Sequence, residues 1–180
     1  MKDRIKFNDA MLVAVMDGRK TQTRRPIEPQ PKVTEDELRK LGAWQEGYTL
    51  SEQVCAAWRN GFIDVDYPYG EIGDIINIAD KDGNIKGKIE ITDVLLQQIQ
   101  EISPSDAIAE GITTSRYGNE GNWLTGFYIP NSNQPHVTAK NAYKELWSSI
   151  YGIDSWMNNQ WVWVIEFCKV ESKQSFTFMN

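Results

Sequence analysis

The segment Trp161-Val-Trp-Val-Ile-Glu-Phe167 constrains the fold more than any other. Its first five residues are apolar without a break, where a half-buried strand would alternate. The run therefore predicts a strand buried on both faces. It is too short for a membrane span, and no other apolar run approaches the roughly 18 residues that a span needs. Other strands are expected around it. Lys2–Phe7 alternates. Ile75–Ala79 reads as a buried strand after Gly73-Asp74, Lys81-Asp-Gly-Asn84 as a hairpin turn, and Gly87–Leu96 as the return strand with Ile89, Ile91 and Val94 inward. Thr21–Arg25 has β-branched residues and no breaker, and Pro26, Pro29 and Pro31 end it.

Helices sit between these strands. Asn8 or Asp9 caps one running to about Asp17, with Gly18 just past its end. Thr34-Glu-Asp-Glu37 forms a capping box ahead of a helix over Glu35–Leu41. Ser103-Pro-Ser-Asp106 starts a helix that runs to about Glu110 and stops at Gly111. Ala142, Tyr143, Leu146, Trp147 and Ile150 form one face of a helix over Thr138–Tyr151. Gly42–Tyr69 shows no clear period, and Thr113–Pro135 reads as a long surface loop with a small hairpin at Trp123–Ile129. The expected organisation is a single α+β domain over 1–171, with insertions at about 28–66 and 113–137 and a frayed tail at 172–180.

Charge and composition narrow the function. A net charge of −6 argues against bulk attraction to nucleic acid, but not against a local basic site. Two cysteines, Cys55 and Cys168, and one histidine, His136, make a poor zinc site, and no metal or other cofactor is expected. Cys168 lies in the apolar run and is expected to be a buried thiol; His136 is expected at the surface. The N-terminal residues lack the apolar core of a signal peptide, so the expected compartment is the cytoplasm.

The densest polar cluster is Arg19-Lys-Thr-Gln-Thr-Arg-Arg25. On a strand, Thr21, Thr23 and Arg25 share one face, and Gln22 and Arg24 the other. Four cations this close lower the pKa of any buried lysine among them, which suits Lys20 to act as a base, a phosphate ligand or a carbonyl polariser. A solvated basic edge strand accounts for the same residues. Glu110 stands at a helix end where the dipole favours cations, so it is placed against local preference. It also reads as an ordinary exposed glutamate. Trp44, Trp58, Tyr67, Tyr69 and Trp123 fall in predicted loops, where aromatic rings either stack on bases or pack locally.

Gly18-Arg-Lys-Thr-Gln-Thr-Arg-Arg25, Gly73-Asp-Ile-Ile76 and Ser105-Asp-Ala-Ile-Ala-Glu-Gly-Ile112, in that order, resemble the ASCH domain family, and the chain is similar to its longer phage and prophage members. Ile150-Tyr-Gly152 and the final strand are similar too. The resemblance implies a small PUA-like β-barrel with flanking helices and RNA-related work. A small bacterial member is a metal-free amidohydrolase of N(4)-acetylcytidine. By that likeness Lys20, Thr23 and Glu110 are the expected catalytic residues: Thr23 as nucleophile or water-positioning group, Lys20 as base or oxyanion partner, Glu110 as proton shuttle. Arg19, Thr21, Arg24, Arg25 and Tyr69 are the expected substrate contacts. The partner is then a modified nucleoside or RNA, and the alternatives to a hydrolase are a noncatalytic RNA or modified-nucleotide binding module and a ribonuclease.

Overall fold

A computed structural model describes residues 1–171; the tail expected to fray, 172–180, lies outside the described residues. The strands are β1 (Arg4–Lys6), β2 (Gln22–Pro26), β3 (Ile75–Ala79), β4 (Ile85–Gln98), β5 (Thr113–Asn119), β6 (Asn122–Tyr128) and β7 (Trp161–Lys169). The helices are α1 (Asp9–Met16), α2 (Glu35–Lys40), α3 (Leu50–Arg59), α4 (Pro104–Ala109), α5 (Ala139–Tyr151) and α6 (Ile153–Met157). One sheet has the order β1-β3-β4-β7-β2, and β5 and β6 form a separate two-stranded hairpin.

β7 lies between β4 and β2, antiparallel to both, and Trp161–Ile165 are buried on both of its faces. This is why its apolar run does not alternate. Across the sheet, Ile89 and Ile91 of β4 are buried as alternation predicts, and an irregularity in pairing between Ile91 and Asp93 changes the phase so that Val94 is buried as well. Cys168 corrects an expectation. It falls on the outward phase next to buried Phe167, so its thiol is exposed, while Cys55 is buried.

The expected β-barrel is not formed. β1 and β2 are the two edges of an open sheet and make no ladder with each other. β1 is only three residues long and spends its pairing on β3, in parallel. Phe7 then bonds the Ala79 carbonyl, and Asn8 turns the chain at once into α1 by accepting from the Met11 amide at 2.9 Å. No length of β1 remains to meet β2. One side chain spans the opening: Arg25 Nη2 on β2 donates to the Lys6 carbonyl on β1 at 2.7 Å.

Two segments gain structure that the sequence pattern did not show. Within Gly42–Tyr69, α3 starts at a Thr49–Glu52 capping box and buries Val54, Cys55 and Ala57. Trp58 therefore stands on a helix and not in a loop. Within Thr113–Pro135, Trp123–Tyr128 is part of a single strand, β6, and not a hairpin by itself; the hairpin turns before it, with Thr113 opposite Tyr128 and Asn119 opposite Asn122. His136 is also held more closely than a plain surface residue: its ring reaches the Phe127 carbonyl at 3.2 Å and Glu145 at 2.5 Å.

Candidate functional site

The basic cluster is placed by two helix ends. Gly18, at φ 76°, ends α1 in the left-handed region. The amides of Arg19 and Lys20 both donate to the Ala14 carbonyl, which folds the chain back on itself. The Thr21 amide then bonds the Ala109 carbonyl, which draws the start of β2 against the end of α4. Lys20 and Glu110 therefore meet, although ninety positions separate them.

That meeting is buried. Lys20 Nζ donates to the Glu110 carboxylate at 2.6 Å and to the Glu110 backbone carbonyl at 2.8 Å. Both side chains are 4% exposed. The double contact explains a carboxylate at a helix C-terminus: one ammonium answers both the side chain and the carbonyl end of α4. Arg24 Nη1 adds a second bond to Glu110 at 3.1 Å and reaches the Gln22 amide oxygen at 3.0 Å. Its Nη2 reaches Gln97 and Asp106, while its Nε is buried without a partner. The Lys20 pKa is pushed below its usual value chiefly by burial. Glu110 opposes that shift, and Arg25 and Arg24 contribute to it only weakly. The direction is the expected one, but the cause is desolvation more than cation crowding.

Above this network lies a pocket of about 280 Å³ in the gap between the two sheet edges. Lys20, Thr23, Arg24, Arg25 and Glu110 line one side. Phe7, Tyr143, Trp147 and Tyr151 supply an aromatic wall from the end of β1 and from α5. The Arg25 guanidinium lies 5.3 Å from the Phe7 ring centre, and the Trp147 and Tyr151 rings are 4.3 Å apart. Burial pushes the hydroxyls of Tyr143 and Tyr151 above the ordinary tyrosine range, so both stay protonated at neutral pH. Of these rings Tyr151 is the most open, at 36% exposed, while Phe7, Tyr143 and Trp147 are packed in the core, so the pocket offers an apolar lining together with donors from a cation.

Five of the eight residues expected at the site thus line one pocket: Lys20, Thr23, Arg24, Arg25 and Glu110. Arg19 does not; it is exposed and pairs with Asp17 at 3.2 Å. Thr21 is exposed as well and serves the fold through its backbone, which bonds Ala109 and Phe167. Tyr69 borders a neighbouring groove. The aromatic wall was missed, because Tyr143 and Trp147 follow the helical spacing of core residues and are themselves buried. Only their grouping with a basic strand sets them apart.

The expected hydrolase arrangement is not borne out. Hydrolysis by Thr23 needs a base within hydrogen-bond reach of its hydroxyl. No hydrogen bond joins Lys20 to Thr23; the Lys20 ammonium is committed to Glu110, and the Thr23 oxygen accepts from Arg25 Nε at 3.3 Å. Among the described residues, no cluster of three or more His, Cys, Asp or Glu is placed to hold a metal ion. No helix among them is long and apolar enough to cross a membrane.

No known family profile and no curated protein sequence matches the chain. Among the solved structures that are similar at a distance are two from bacteria. An ASCH domain from Lactobacillus crispatus JV V101 aligns at 13% identity with a TM-score of 0.43, over 89% of this chain and 70% of that one. Protein EF3133 from Enterococcus faecalis V583, which carries the family label DUF984, aligns at 15% identity with a TM-score of 0.45, over 94% and 80%.

Proposed function

We propose that this chain is a noncatalytic binding module that holds one nucleobase of a nucleotide or modified nucleoside in the pocket between its sheet edges. One observation carries the reading. A concave site joins an aromatic wall to an arginine, Arg25, that has no carboxylate partner among the described residues. A nucleotide has the matching parts: a flat π-face to lie on the rings and oxygens to accept from the guanidinium. The sequence resemblance to the ASCH family points to the same class of ligand. Lys20 and Glu110 then act as the fixed base of the pocket. They hold β2 and α4 at the spacing that shapes it, and Thr23 and Arg25 face the ligand.

The test is calorimetric titration with cytidine 5′-monophosphate and with N(4)-acetylcytidine, followed by chromatography of the recovered ligand. Saturable binding is expected, with the ligand recovered intact and at least a tenfold loss of affinity in Arg25→Ala. Absence of binding to either compound by folded protein overturns the reading. Release of cytidine from N(4)-acetylcytidine would overturn its noncatalytic part.

A further inference from the structure

The pocket does not end at Arg25. Lys6 and Arg25 also line a groove of about 710 Å³ that runs beside β1. Lys2 and Arg4 face the same groove, and its carboxylates are Asp3 and Asp82. Asp3 is taken up by Arg4 at 2.5 Å. Lys2, Lys6 and Arg25 make no ion pair among the described residues. On a chain of net charge −6, four cations against two carboxylates is a local reversal of sign.

At its far end the groove shares Met1 and Tyr69 with a cleft of about 640 Å³. Trp58, Tyr67 and Tyr69 wall this cleft, and Ile72 stands exposed on it. Tyr67 lies edge-on to Trp58, with ring centres 6.3 Å apart, and 5.8 Å from Tyr69. The Tyr67 hydroxyl is buried and bonded to nothing. The Lys2 ammonium sits 5.2 Å from the centre of the Tyr69 ring, where groove and cleft join.

The order along the surface is therefore aromatic pocket, cationic groove, aromatic cleft. We propose that this path takes a short single strand of nucleic acid, with one base in the pocket, the phosphodiesters along Arg25, Lys6 and Lys2, and a second base in the Trp58–Tyr67–Tyr69 cleft. The proposal rests on the nucleobase reading of the pocket and extends it to a polymer. Alternation of rings and cations suits a strand whose bases are splayed apart, and a duplex keeps its bases stacked and out of reach. The Lys2-to-Lys6 stretch spans at most about 13 Å by extended-strand geometry, the reach of a few nucleotides and no more.

The experiment compares a labelled tetracytidylate with cytidine 5′-monophosphate on the full chain at several salt concentrations. The tetramer is expected to bind at least tenfold tighter at low salt. Its plot of log affinity against log salt is expected to be steeper by about 1 to 2, because each further phosphate contact contributes about 0.7. Lys2→Glu, in the groove, and Ile72→Asp, at the cleft, each lie outside the pocket on exposed positions. Each is expected to weaken the tetramer at least threefold and to leave monophosphate affinity within twofold. A tetramer no tighter than the monophosphate overturns the strand path and leaves the pocket reading standing. Tetramer binding that responds to Lys2→Glu and Ile72→Asp while the monophosphate fails to bind supports the path and overturns the single-base reading. Displacement of the tetramer by an equal concentration of a tetraglutamate peptide overturns the nucleic-acid assignment and gives the groove to acidic peptides.

Discussion

The two faces of β2 carry similar residues into opposite surroundings. On one face, Gln22 and Arg24 meet carboxylates: Asp106, Glu110 and Glu166 all lie within hydrogen-bond distance of one or the other. On the other face, Thr23 and Arg25 meet a backbone carbonyl and aromatic rings but no carboxylate. Lys20, at the turn before the strand, joins the first group through Glu110. A basic motif is therefore not a single functional unit. Lys20 and Arg24 are neutralised inside the protein and hold the scaffold together, Arg19 pairs with Asp17 at the surface, and Arg25 alone of the four cations has no carboxylate partner among the described residues. The difference comes from α4, which delivers its carboxylates to one face only.

Glu110→Gln should break this contrast most severely. The variant leaves Lys20 and Arg24 buried with their shared counter-charge gone. Loss of one partner from a buried ion pair costs about 3–5 kcal/mol. Urea unfolding should register a loss of that size. A change below about 1 kcal/mol would mean that the buried face tolerates unpaired charge, and that the two faces differ less than their contacts suggest. Ser103→Ala is the gentler form of the same test. The Ser103 hydroxyl accepts from the Asp106 amide at 3.1 Å and caps α4. Its loss should cost about 1 kcal/mol. An equal loss from both variants would place the stability of this face in helix α4 itself and not in the charges it carries.

How much of this was legible in the sequence follows from how local each cause is. The caps at Asn8, Thr34 and Ser103 were readable because a cap is a contact within three residues. β7 was readable because its unbroken apolar run leaves no polar face. α3 was not, although Thr49 and Glu52 form a capping box. Its buried side includes Ser51 and Gln53, which blur the apolar period. The open sheet was hidden as well, since closure depends on whether two distant edge strands have length to spare, and β1 has none. At the site, the misfit of Glu110 with its helix dipole was the one local sign of the Lys20 contact. The pocket wall on α5 gave no sign, because Tyr143, Trp147 and Tyr151 look the same in sequence whether they face a core or a cavity.

Arg25→Ala sharpens the comparison from the other side. The Arg25 bonds to Thr23 and the Lys6 carbonyl lie at a partly open edge, where water can replace them. Stability should fall by less than about 1 kcal/mol, while ligand affinity falls at least tenfold. A stability loss as large as that of Glu110→Gln would show that Arg25 closes the gap between β1 and β2 structurally, and the division into scaffold and ligand faces would fail.

Glu166→Gln should have the smallest effect, and its sign is informative. The pKa of Glu166 is raised above the usual 4.5, first by burial and then by Asp93 and Asp106. A raised carboxylate holds its proton more tightly in the folded state. Its contribution favours the fold below pH 4.5 and is lost as pH rises through the raised value. Above that window the ionised group is a small net cost, because this face carries more carboxylates than it can pair. An amide in place of the carboxylate would remove the charge and still accept from Gln22, as Glu166 does at 3.0 Å. Glu166→Gln should therefore be more stable than the parent at pH 7 by less than about 1 kcal/mol, since solvent screens a partly exposed group. The gap should close as the pH falls below 4.5. A parent more stable than the variant at pH 7 would mean that Arg24 makes full use of the Glu166 charge. The carboxylate face of β2 would then be balanced, and its contrast with the Arg25 face would reduce to burial alone.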